Sequence, residues 1–170
     1  QRNTNEMIYL RNMSLKNTSL RDSYGYGIRV FLKGAWGFAH SNEFSEKSVI
    51  KTVKRAFALA EQSRRVLYNG GLTLATERSY IDSYQTPFEI DPFSIPLSEK
   101  VELMMDVNKT LLGYNEIKQA MFMLNCSKEE KLFASTLGTE LEIETMFIEP
   151  TFRAVAVTPK DSQSRAFRDG

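Results

Sequence analysis

The chain has 170 residues, enough for one ordinary domain or two small ones. Hydrophobic residues make up 42% and charged residues 25%, an ordinary globular composition that excludes a low-complexity or disordered chain. The formal net charge is only +1, from 22 basic and 21 acidic residues, which argues against a broad electrostatic grip on nucleic acid or an anionic membrane.

No apolar run approaches the roughly 20 residues that a membrane-spanning helix needs. No secretory signal is visible, so a cytoplasmic location is expected, although the chain opens with Gln1 and export stays open. Cys126 is the single cysteine and cannot form an internal disulfide.

Residues 6–11, EMIYLR, alternate as a strand does, and Asn12-Met13 marks a turn into a polar strand near Leu15–Leu20. Tyr24–Phe31 reads as a further strand, with Tyr26, Ile28, Val30 and Leu32 on one face. Gly34 suits the positive φ of a hairpin turn, and Ala35–Ala39 forms the return. These strands are expected to make one small antiparallel meander. A helix follows, capped by Ser45, with Glu46 in the first turn, where the helix dipole favours an anion. Val49, Val53, Ala56, Phe57 and Ala60 recur at helical spacing and are the expected buried stripe. Lys47, Lys51, Lys54, Arg55 and Glu61 take the other faces, and the helix should stop before Asn69-Gly70-Gly71.

Residues 69–96 carry Pro87, Pro92, Pro96 and scattered aromatics without a period, and are read as a linker. A second helix is expected from about Ser98 to Leu112, with Val101, Met104, Met105, Asn108 and Leu111 inward and Gly113 as its stop. IKQAMFMLNC and KLFAST read as two strands parted by a polar turn at Ser127–Glu130. TELEIETMFI alternates, placing Glu140, Glu142 and Glu144 on a solvated face, until Pro150 interrupts it. FRAVAVT and SRAF complete the run. The fold class is therefore α+β: antiparallel β-meanders, each packed with a helix, in two small subdomains. The expected division is 1–68, a linker at 69–96, and 97–170.

A catalytic constellation is missing. One histidine and one cysteine cannot supply a zinc site's three or four ligands without several carboxylates. Cys126 follows Met121, Met123 and Leu124 in an apolar strand, where a thiol is usually an inert small hydrophobe. No P-loop, G-x-S-x-G or G-x-G-x-x-G is present, and the basic face of the first helix reads as solvated. The residues themselves support an α+β module without a self-contained active site.

One block says more. GYGIRVFLKGAWGFAHSNEFSEKSV, at 25–49, resembles a segment of the TldD/PmbA proteins, described both as modulators of DNA gyrase and as zinc metallopeptidases. EMIYLRN, AFALAEQSRR, DPFSIPLSEKVELM, KLFASTLGTELEIE and SRAFRDG resemble further blocks in family order, with Met13 where the family has glycine. The WGFA and FAS-G-E blocks resemble the TldD side more than the PmbA/TldE side.

The resemblance implies the N-terminal and middle domains of such a protein. The family's zinc ligands lie in an HExxxH helix and at a later cysteine of a C-terminal domain. Neither motif occurs here, so no catalytic or metal ligand is carried over, and no cofactor is expected within this chain. Implied partners are a peptide substrate and a second subunit, in a homo- or heterodimer, with no direct nucleic-acid or membrane contact. A non-catalytic PmbA/TldE-like partner subunit is the alternative reading. Trp36 and Phe38 are expected as large apolar anchors clamping the hairpin onto the first helix, with His40 as a polar turn residue. The alternative is that Trp36, Phe38 and His40 line a peptide channel.

Overall fold

The computed structural model describes residues 1–67, 71–75 and 78–168. In chain order these form β1 (Arg2–Arg11), β2 (Ser14–Tyr24), β3 (Tyr26–Leu32), β4 (Ala35–Ser41), α1 (Glu46–Arg65) and β5 (Ile81–Gln85). A 3-10 turn (Pro92–Ser94), α2 (Leu97–Leu112), β6 (Ile117–Ala134), β7 (Glu140–Val157) and β8 (Ser162–Arg168) follow. The α+β class holds: antiparallel strands pack with two helices. Contacts divide the chain into two units, one of Gln1–Arg2, Ser23–Asp82 and Leu132–Leu141, the other of Asn3–Asp22, Ser83–Lys131 and Glu142–Gly170. This differs from a cut at residues 68 and 97. The reason is strand pairing: β1 and β2 join the sheet of β6 and β7, not that of β3 and β4. The expected opening meander is split accordingly.

In the first unit β3 and β4 form a two-stranded antiparallel sheet that pairs Phe31 with Trp36, Arg29 with Phe38 and Gly27 with His40. Lys33 and Gly34 both have positive φ, 46° and 89°, the requirement of a two-residue primed hairpin turn. α1 packs on this hairpin. Ser45 caps it, its hydroxyl accepting from the Ser48 N–H at 3.2 Å. The buried stripe is Ser48, Thr52, Ala56 and Ala60, one residue per turn. Ala56 and Ala60 are expected there, but the larger three of the expected stripe are displaced to the flank: Val49, Val53 and Phe57 are 38, 42 and 45% exposed. The cause is close approach. A Cβ placed on Gly37 would stand 2.0 Å from the Ala56 carbonyl oxygen and 2.4 Å from the Ala60 nitrogen. Only small side chains fit between backbones that near. The stop expected at Asn69-Gly70 lies outside the described residues; α1 ends at Arg65.

The second unit is built on a six-stranded sheet in the order β2-β1-β6-β7-β5, with β8 on β7. Ile8 and Leu10 of β1, Phe122 of β6 and Met104 of α2 form its buried core, with Val101, Met105, Leu124 and Phe152 around them. The Phe122 and Phe152 rings lie 4.1 Å apart, tilted by 52°. Three expectations are corrected here. Ser127–Glu130 is no turn, because β6 runs unbroken through it. β7 continues past Pro150. Pro150 lies between the stretch bonded near β5, through Thr86 and Glu144, and the stretch paired to β8 from Thr151. A residue without an N–H is tolerated where the ladder changes partner. The supposed linker holds β5, an edge strand, and a 3-10 turn capped by the Asp91 carboxylate.

Polar groups close the second unit's interior. Lys100 and Glu6 make an ion pair whose side chains are 6 and 12% exposed. Asn12 ends β1 with φ 54° and is held on three sides. Its N–H donates to Ala120 O at 2.6 Å, its Oδ1 accepts from Ala120 N at 3.0 Å, and its carbonyl accepts from Asn108 Nδ2 at 2.7 Å. Asn108 Oδ1 is buried and finds no partner among the described residues. Glu144, on the expected solvated face, pairs with Lys128 at 3.0 Å and accepts from Gln85 at 3.1 Å.

Candidate functional site

The site candidates Trp36, Phe38 and His40 occur at alternate positions of β4, in the segment Ala35-Trp36-Gly37-Phe38-Ala39-His40. A strand sends alternate side chains to opposite faces. Ala35, Gly37 and Ala39 are buried towards α1, while Trp36, Phe38 and His40 are exposed on the other face. Trp36 and Phe38 therefore do not clamp the hairpin to the helix. That contact needs the small residues between them.

The three do come together on one surface. Trp36 packs on Phe31, ring centroids 4.9 Å apart, and Phe38 lies 5.9 Å from the His40 ring. Arg29 places its guanidinium carbon 5.9 Å from the Phe38 centroid, within cation–π range. Phe38 lies across Gly27, where a Cβ would be only 2.7 Å from the ring. The face thus joins three aromatic rings, one imidazole and one guanidinium, with Trp36 44% and Phe38 49% exposed. It suits contact with a peptide or protein surface and holds no nucleophile. Arg29 and Phe31 were not singled out by the sequence, although the register of a two-residue hairpin at Lys33-Gly34 brings them opposite Phe38 and Trp36.

The opposite face, under α1, carries a hydroxyl cluster. Tyr26 Oη lies 3.1 Å from Ser48 Oγ and 3.2 Å from Thr52 Oγ1, and Ser41 Oγ lies 3.1 Å from Ser48 Oγ. Thr52 also donates to the Ser48 carbonyl at 2.9 Å. Four hydroxyl protons serve four contacts, which orders the chain: Ser41 donates to Ser48, Ser48 to Tyr26, Tyr26 to Thr52, and Thr52 to the backbone. Burial pushes the Tyr26 phenol up, but its contacts with Ser48, Thr52 and Ser41 outweigh this and lower it below the ordinary tyrosine value.

Cys126 is buried in β6, as its apolar setting predicts. Burial pushes its thiol up; the Lys100 charge pulls it down and Glu6 raises it again. A buried thiol held protonated is a poor nucleophile. Among the described residues no group of three or more His, Cys, Asp or Glu side chains could hold a metal ion. These residues do not fit a zinc centre, and no metal-dependent step is derived from them.

Comparison with known proteins places this architecture. Residues 1–60 match the model of a family described as PmbA/TldA metallopeptidase domain 1. A metalloprotease of Methanocaldococcus jannaschii is 26% identical over 137 residues, 81% of this chain and 30% of its own length. Over residues 1–60 the chain is similar to the first domain of the PmbA/TldD family. The resemblance of its sequence blocks to that family stands.

Solved structures share the fold over almost the whole chain. One, named a candidate modulator of DNA gyrase from Bacteroides thetaiotaomicron, has a TM-score of 0.74 at 15% identity, covering 98% of this chain and 38% of its own. TldE from Thermococcus kodakarensis has a TM-score of 0.71 at 13% identity, covering 99% and 38%. A candidate gyrase modulator from Thermotoga maritima has a TM-score of 0.71 at 14% identity, covering 99% and 37%. This chain thus spans less than two fifths of the length of each of these relatives. No helix among the described residues is long and apolar enough to cross a membrane.

Proposed function

We propose that this chain is a non-catalytic part of a TldD-like metallopeptidase that processes unfolded or small peptides, helping to enclose the active chamber and to form the dimer. The observation that carries the reading is the domain 1 match at residues 1–60, together with the metalloprotease relative. In this proposal zinc is held by family residues beyond those that this chain matches, in a cytoplasmic enzyme. The exposed face of Phe31, Trp36, Phe38, His40 and Arg29 is offered as a wall or subunit contact, since aromatic and arginine side chains are enriched at such surfaces.

The test is hydrolysis of an unstructured reporter peptide. The 170-residue chain alone, supplied with zinc, is expected to be inactive. The same residues within the full coding sequence are expected to be active and to lose activity to a chelator. Zinc-dependent cleavage by the chain alone overturns the reading. A second reading, a non-catalytic PmbA/TldE-like partner subunit, is favoured by the fold similarity to TldE. An HExxxH helix encoded downstream selects the first reading, and its absence the second. A direct role on gyrase or DNA has little physical support in a chain of net charge +1.

A further inference from the structure

The hydroxyl cluster floors a hollow of about 410 Å³ lined by His40, Ser41, Glu43, Lys47, Ser48, Lys51, Thr52 and Arg55. Lys47, Lys51 and Arg55 stand four residues apart on one stripe of α1. Like charges at this spacing repel and weaken a helix. Among the described residues no carboxylate lies within ion-pair distance of any of the three. Glu43, the one acidic lining residue, is turned to the helix cap, its Oε1 accepting from Ser45 Oγ at 2.7 Å. The hydroxyl protons are spent within the cluster, so the cations are what a ligand would meet. The lining holds no Val, Leu, Ile, Met, Phe, Tyr or Trp, and its one ring is the His40 imidazole.

We propose that this hollow binds a small polyvalent oxyanion of the polyphosphate kind. Lys47 and Arg55 are separated by two helical turns, roughly 12 Å at 1.5 Å per residue, which is longer than one phosphate and matches several linked ones. Arg55 supplies a planar fork for two oxygens, and the lysines supply point charges. His40, at the rim, adds a ring nitrogen that can donate or accept. A nucleotide's base would meet only the His40 imidazole and the Arg55 guanidinium, so the linked phosphates are the part that the three cations recognise. The cationic stripe, without a carboxylate partner among the described residues, gains counter-charges when the anion binds, which offsets the repulsion along α1.

Titration of the 170-residue chain with tripolyphosphate at fixed ionic strength, followed by amide NMR, tests this directly. Saturable shifts confined to residues 40–55 are expected, with one anion per chain. The Lys51→Glu/Arg55→Glu variant is expected to bind at least tenfold more weakly with an unchanged far-ultraviolet spectrum. Lys109→Glu, on α2, should bind as the parent does. A triglutamate peptide run in parallel identifies the source of the negative charge: equal saturation by the peptide would overturn the polyphosphate assignment. Shifts that fail to saturate, or that fall equally in both variants, would show diffuse attraction and overturn the site itself.

Discussion

The two units solve the same packing problem in opposite ways. In the second, a helix meets a sheet through large side chains: Met104 against Ile8, Leu10 and Phe122. In the first, a helix meets a hairpin through almost nothing: Ala56, Ala60, Ser48 and Thr52 against Ala35, Gly37 and Ala39. Large side chains fill the space between separated layers and gain by burial. Small ones let backbones approach and leave the bulky residues of the same elements outside. That is why Trp36, Phe38, Val53 and Phe57 are exposed here. The second arrangement yields a core. The first yields two decorated surfaces, one aromatic and one cationic.

The comparison can be broken at defined points. The largest effect is expected where the second unit buries charge. Lys100→Met leaves Glu6 without its partner and should cost about 3–5 kcal/mol in urea unfolding. Adding Glu6→Leu should recover most of that loss, since a well-packed apolar pair replaces a buried ion pair at little cost. Next is Met104→Ala, which opens a cavity in a large-residue core and should cost roughly 2–5 kcal/mol.

The first unit should respond to the opposite change. Gly37→Ala adds one methyl group where the helix backbone already stands, and should cost about 1–3 kcal/mol or more. Its signature is faster amide exchange in β3, β4 and α1. If Gly37→Ala left the unit's stability unchanged, the small-residue contact would not govern it. Trp36→Ala should cost only about 1 kcal/mol, the scale of one aromatic pair with Phe31, because the indole is half in solvent. A larger loss on thermal unfolding would return Trp36 to a packing role.

The smallest effect is at the end of β8. Hydrogen bonding to Arg168 holds the Glu149 carboxyl below its ordinary value, outweighing a small burial effect in the other direction. A lowered carboxyl stabilises the folded state above its unfolded value, and the gain is lost as pH falls through the folded one. Protection factors of the β8 amides, taken against the intrinsic exchange rate at each pH, should therefore fall below about pH 4.5 in the parent. Glu149→Gln should remove that pH dependence.

What the sequence determined by itself was local. Ser45 caps α1, Gly34 turns the hairpin, Asn12 turns β1 into β2, and Cys126 lies in an apolar strand, each within reach of its own neighbours. The block resemblance to the PmbA/TldD family was equally legible, because it needs only residue order. What tertiary structure decided was everything non-local. Pairing with distant strands carried β6 through Ser127–Glu130, kept β7 intact at Pro150 and recruited β5 from an aperiodic stretch. It also set which flank of α1 is inside. Val49, Val53 and Phe57, and likewise Ser48, Thr52 and Ala56, recur every four residues, so spacing does not choose between them. The choice falls to the distance at which the hairpin sits, and Gly37 sets that distance at β4.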